Sequence, residues 1–255
     1  GAVLRNPFFW CNRLLVLLAG LLFAHPRSRM RTQAFLCARS RNISVAEVIC
    51  GFLAVGSSST IVEMASRRFR YIHLEWITLE DLMDNAPNPK LYELSKSAVF
   101  GEVDAFISHS WHDDPCLKWQ KLQRWCRHFK ERHGRSAKLW LDKCCINQRD
   151  IKANLMCLPI FLAGSKRLVI LCGASYTTRL WCVVELFVFV SIHGKSQKCV
   201  DLRVLSMNEE DCWAVRNSFF QFSAWNCHCF DAQDKHRLLG IIEAGSGTMS
   251  NFNAK

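Results

Sequence analysis

Residues 166–190 read KRLVILCGASYTTRLWCVVELFVFV, and this stretch decides the fold. It opens on an aliphatic run, residues 167–172, that stops at Gly173. A short β-branched and aliphatic run without alternation is the pattern of a strand buried on both faces, which belongs in a parallel sheet. A polar turn, residues 174–178, leads into an apolar helix over residues 180–192 that holds one acid, Glu185. A carboxylate among apolar neighbours is costly unless it reaches a cleft, a partner or solvent. In an open α/β sheet the cleft lies beyond the carboxyl ends of the strands. Glu185 is therefore the first candidate for a functional residue. The structural alternative is an ion pair with a cation such as Arg179 or Arg167.

The alternation of strand and helix continues on both sides. Residues 103–108, VDAFIS, form a strand, and the polar loop HSWHDD follows at residues 109–114. Asp114 and Pro115 suit the cap and first turn of a helix, and Gly134 its stop. Between them Leu122, Trp125, Cys126 and Phe129 recur at helical spacing, with Trp119 on the same face. Residues 138–142 form a second strand, and residues 143–150, KCCINQRD, a loop. A helix over residues 151–163 carries Pro159, which kinks or splits it. After the quoted stretch come a fourth strand at residues 200–205, an irregular, partly helical segment at 208–222, a fifth strand at 226–230 and a last helix at 231–244. The expectation is an α/β, flavodoxin-like five-stranded parallel sheet with helices on both faces, preceded by a helical, partly hydrophobic N-terminal segment. The divisions are residues 1–60, hydrophobic and basic; 61–99, a linker with a short helix capped by Thr78 and Asp81; 100–245, the main domain; and 246–255, a loose tail.

Composition narrows the function classes. Half of the 255 residues are hydrophobic, enough for a buried core, so the chain is not a disordered one. The net charge of +11 suits anionic partners or mere solubility, but no arginine–aromatic nucleic-acid motif is visible, and nucleic acid is set aside as a partner. Most of the 14 cysteines lie in apolar runs and none forms a C-x-x-C pair, which reads as reduced, buried thiols in a cytoplasmic domain. The spacing in Cys227-His228-Cys229 is poor for zinc, and no metal is expected. A Ser-His-Asp hydrolase built on Ser110 lacks its G-x-S-x-G elbow. Residues 14–24, LLVLLAGLLFA, are too few to span a bilayer alone. With the aromatic residues from 7 onward, and arginines after 24, a membrane anchor over 7–24 stands beside an ordinary soluble helix.

Three motifs in this order carry a resemblance. Residues 104–110, DAFISHS, resemble the first strand of Toll/interleukin-1 receptor (TIR) domains, whose pattern runs D-[VA]-F-[IL]-S. Residues 176–186, YTTRLWCVVEL, resemble that family's Y-x-x-S-x-W-C-x-x-E-L. Residues 139–148, LWLDKCCINQ, are similar to a stretch of fungal heterokaryon-incompatibility domains. The resemblance spans about residues 100–245 and implies the five-stranded fold already read from the pattern. It also implies one of two functions in stress or immune signalling: hydrolysis of NAD at the nicotinamide–ribose bond, with Glu185 as the catalytic carboxylate, or non-catalytic assembly with itself and other TIR-like domains. By the same resemblance, Ser108, His109 and Trp111 stand where nucleotide contacts begin, and residues 143–150 are a mobile loop over the site. Asp142, at the ligand edge of the sheet, and Trp181, one helical turn before Glu185, complete the substrate-binding set, with core packing the alternative for the tryptophans. NAD, or a related nucleotide, enters as substrate, so no bound cofactor is expected. Two departures from the family pattern bear on the nucleotide: the position before Trp181 is Leu180 rather than a small polar residue, and the loop at residues 143–150 carries CCINQ where the family has a Pro/Gly-rich stretch. No G-x-G-x-x-G phosphate loop is present.

Overall fold

The structure, a computed structural model, describes residues 46, 49–50, 58–84, 86, 88–193, 199–229, 231–246 and 249–253. The apolar run at residues 14–24 and the anchor expected over 7–24 lie outside them. Among the described residues no helix is long and apolar enough to cross a membrane.

Helix α1 (Ser58–Arg68) leads into β1 (Arg70–Tyr71), α2 (Leu79–Met83), α3 (Pro89–Leu94) and β2 (Lys96–Ser97). The main unit follows: β3 (Ala105–His109), α4 (Pro115–His133), β4 (Leu139–Trp140), α5 (Asp142–Cys145), α6 (Ile151–Met156), α7 (Leu158–Ala163), β5 (Leu168–Cys172), α8 (Leu180–His193) and β6 (Val200–Val204). Helices α9 (Glu209–Phe220), α10 (Ala232–Ser246) and α11 (Met249–Asn253) complete it.

Strands β4-β3-β5-β6 form a parallel sheet in that order, and β1 and β2 pair antiparallel. All five residues of β5 are buried, as a central strand between helical layers requires. Register assigns the layers. Ser108 pairs with Ile170 and Ile170 with Leu202, so the three share one face. Ser108 bonds to Glu185 of α8, which puts α8 on that face. Asp201 pairs with Val169 on the opposite face and accepts from the indole of Trp125 in α4, 2.8 Å away. Helices therefore cover both faces. In α4 the buried side chains are Lys118, Leu122, Trp125 and Phe129, a stripe at steps of four, three and four. Asp114 caps the helix by accepting from the Leu117 N–H, and Gly134 ends it at φ 67°. Helix α8 is apolar nearly all round and packs between α7 and α10.

The sheet has four strands among the described residues, not five. Residues 224–226 form a 3-10 turn where the fifth strand was expected to begin. His228 bonds instead to the turn before α8: its N–H donates to the Thr178 carbonyl at 2.7 Å, and its carbonyl accepts from Leu180 N–H at 3.0 Å. The buried Cys227 thiol donates to the Thr177 carbonyl, so this segment is held by the β5–α8 connection rather than by a sheet edge. Pro159 at the start of α7 splits the helix over 151–163 into α6 and α7, one of the two outcomes expected of a proline there. Two local readings also shift. Residues 209–220 are regular helix, with Asn208 as a side-chain cap. In the tail, α11 packs through Phe252 against Phe187 and Phe222.

Residues 58–99 join the same core. Phe69 is fully buried, stacked on Phe161 of α7 at 5.4 Å, and Ile72 bridges Leu139 of β4. At the amino-terminal end of β3, Asp104 binds Arg135 through two bonds of 2.6 and 2.8 Å and Lys166 through one of 2.9 Å. Burial alone would raise its pKa. The Arg135, Lys138 N–H and Lys166 contacts outweigh that and hold the carboxyl at about 2. This part of the DAFISHS motif is thus a structural anchor at the end of the sheet away from the cleft.

Candidate active site

Strand β3 and the β5–α8 unit sit side by side in the sheet although a strand and several helices separate them in sequence. This is the topological switch point, where connections leave in opposite directions and a crevice opens beyond the strand ends. A cavity of about 530 Å³ lies there, within the size range of small-ligand sites.

Helical spacing puts Trp181 and Glu185 on one face of α8, and both line the cavity. His109, at the end of β3, and Trp111, in the loop that follows, line it from the sheet. The end of β4 delivers Asp142. Five of the six expected site residues therefore line one cavity. Ser108 does not; it is fully buried behind Glu185 and donates to that carboxylate at 2.5 Å. Asp142 accepts from the Trp111 indole N–H at 2.5 Å, which fixes that ring, and lies 3.8 Å from His109 Nε2. The His109 and Trp111 rings are nearly parallel, 8° apart.

Glu185 makes no ion pair among the described residues, which removes the structural alternative of an arginine partner. The Arg179 guanidinium lies instead 3.2 Å from His112 Nε2, at the cavity wall. Burial pushes the Glu185 carboxyl up to about 8. The Ser108 hydroxyl pulls it down, and the Asp142 charge pushes it further up. Both protonation states can be satisfied. When ionised, Glu185 accepts from Ser108. When protonated, it can donate to Ser108, Ser108 to the Tyr176 hydroxyl 2.8 Å away, and Tyr176 to the Cys182 carbonyl at 3.2 Å. Burial raises the Tyr176 pKa well above the ordinary value, so the phenol stays neutral. His109 is pushed down by burial, against the Asp142 charge, and so favours the neutral ring.

A second network fixes the mouth. The buried Asp113 carboxylate accepts from Gly173 N–H and Ser175 N–H, both at 3.1 Å, and from the Ser175 hydroxyl at 2.7 Å. This ties the loop after β3 to the loop after β5. A Cβ on Gly173 would overlap that carboxylate, so the closeness itself requires glycine. The buried Lys118 ammonium donates to the Ser110 carbonyl at 3.0 Å, anchoring the backbone beside Trp111.

Ile146 and Gln148 line the cavity from the loop expected over the site, residues 143–150. The other walls were not identified from sequence: Trp140, Leu155 and Leu158 form an apolar side, and the first turns of α10 add Asp234 and Arg237. The buried Trp140 indole N–H has no hydrogen-bond partner among the described residues. Its strand looked like ordinary core, and nothing in the pattern of residues 231–244 marked that helix as a wall. The loop at 143–150 begins as the short helix α5, where Cys144 and Cys145 are buried and burial pushes their thiols up, Cys145 to about 12. Every described cysteine is a free thiol. Comparison with protein-family models, with curated proteins and with solved structures finds no match to this chain.

Proposed function

We propose that the chain is a TIR-like domain that hydrolyses NAD at the nicotinamide–ribose bond through Glu185. The observation that carries this reading is one carboxylate, free of any cationic partner among the described residues, facing a cavity of about 530 Å³ at the switch point of a parallel sheet. Glycosidic cleavage develops positive charge on the ribose, and a carboxylate beside it stabilises that charge or orients the ribose hydroxyls. Nicotinamide in NAD is cationic and leaves as a neutral molecule, taking the C–N electron pair. Water then adds to the anomeric carbon and releases a proton, so no second acid is required. Trp111 and Trp181 offer faces for a base or for nicotinamide, and Asp142 holds Trp111 in place.

Assembly without catalysis is the second reading, favoured by the hydrogen-bonded state of Glu185 itself: the Ser108–Tyr176–Cys182 relay would also suit a neutral structural acid. NAD loss on incubation with the full chain, concentrated enough to self-associate, separates the two when run beside Glu185→Gln. Turnover in the wild type that vanishes in a normally folded variant supports the enzyme. No turnover in either, with oligomers present, leaves the assembly module.

A further inference from the structure

Strand β6 is the outermost strand of the parallel sheet, and its outer edge is open among the described residues. The Leu205 N–H donates inward to the Cys172 carbonyl of β5 at 2.8 Å. Because N–H and C=O of one residue point to the same side of a strand and alternate along it, Val200, Leu202 and Val204 present theirs outward. None of these outward groups has a backbone partner among the described residues. Leu202 is also 51% exposed, on the α8 face, although its neighbours in register, Ile170 and Ser108, are buried.

The sequence of this edge, Val200-Asp-Leu-Arg-Val204, is complementary to itself when reversed. We infer that β6 pairs antiparallel with β6 of a second copy of this chain, about a two-fold axis at Leu202, joining two four-stranded sheets into one. In that register Leu202 faces Leu202 of the other copy as a hydrogen-bonded pair, and Val200 and Val204 face each other as further such pairs. Asp201 and Arg203 then fall opposite one another at the non-hydrogen-bonded positions, where side chains approach most closely. Their charges are opposite, so the symmetric contact satisfies both ends at once. Within one chain Asp201 is already positioned for this role: it accepts from the Trp125 indole at 2.8 Å and pairs with Arg203 at 2.8 Å on the α4 face. Any other partner would meet one charge of each sign on a five-residue edge and would need the same inverted pattern. This interface is independent of whether the cavity turns over NAD.

Sedimentation velocity of the full chain over a concentration series tests the pairing. The wild type should form dimers. Leu202→Pro removes an outward donor without touching the bonds to β5, and proline is tolerated on an open edge. Arg203→Asp and Asp201→Arg each set like charges opposite one another at two positions. Leu202→Pro and Arg203→Asp should melt as the wild type does, whereas Asp201→Arg, which also removes the acceptor of the Trp125 indole, should melt lower but stay folded; each of the three should weaken dimerisation at least about ten-fold, the change that ~1.4 kcal/mol produces. An equimolar mixture of Arg203→Asp with Asp201→Arg should dimerise again, because the cross-contacts are complementary. A wild type that stays monomeric throughout, or dimers that persist in Leu202→Pro and Arg203→Asp, would overturn the inference. So would two charge variants that fail to associate when mixed although both are folded.

Discussion

At the residue scale, Glu185 offers the clearest tests of the proposed chemistry. Glu185→Gln should lower NAD turnover by at least about a hundred-fold, the typical worth of a positioned carboxyl group, without loss of fold by circular dichroism. Since the ionised form is the one that stabilises ribose charge, kcat/KM of the wild type should rise with pH through about 8, the value to which burial lifts this group. The Asp142 charge contributes to that lift, so Asp142→Asn should move the rise to lower pH; an unmoved profile would mean that another group controls it. Stability provides a reading that needs no substrate. Between 4.5 and about 8 the folded chain holds the Glu185 proton and the unfolded chain has lost it. The contribution is therefore complete below 4.5 and is lost as pH rises through about 8. Glu185→Gln should flatten this part of the pH dependence of the urea midpoint. The acid itself was legible in sequence, because one carboxylate in residues 180–192 breaks an otherwise apolar helix. Its partner was legible only as a site candidate. That Ser108 donates to it follows from adjacency of β3 with the β5–α8 unit, which no local pattern encodes.

At the scale of elements, the site is held by the tie between the loops that follow β3 and β5. Asp113 spends its acceptors on Gly173 and Ser175, and the fit leaves no room for a side chain at 173. Gly173→Ala should cost roughly 1–3 kcal/mol, the usual penalty of overpacking, and lower the melting temperature by about 2–4 °C for each kcal/mol in a chain of this size. It should also reduce turnover, because Trp111 stands on the displaced loop; an unchanged melting temperature would show that the loop yields freely. Element type was well encoded where periodicity was long or caps were present. The spacing of Leu122, Trp125, Cys126 and Phe129 and the pair Asp114–Pro115 specify α4 by themselves, whereas the burial of Lys118 on the same stripe does not show in sequence. Residues 226–230 were read as a strand although a run of that length suits an irregular segment equally, and the bonds of His228 to Thr178 and Leu180 hold residues 226–229 away from the sheet edge.

At the scale of the whole molecule, residues 58–99 belong to the core of the sheet domain rather than to a tether. Phe69, between Phe161 and Phe100, should therefore cost about 3–5 kcal/mol when cut to alanine. Unfolding followed in the near and far ultraviolet should shift together; a shift confined to one signal would mean that this segment unfolds on its own. By itself the sequence determined the α/β class, the parallel sheet and the helices on both faces, because buried strands and amphipathic helices are written in local hydrophobic order. Tertiary structure alone decided that the sheet stops at four strands among the described residues, that the first turns of α10 line the cavity, and that Arg179 turns to His112 and leaves Glu185 to Ser108. Each of these depends on which distant segments become neighbours. That outcome is set by the sum of packing and hydrogen-bond satisfaction over the whole chain, and no single window of sequence contains it.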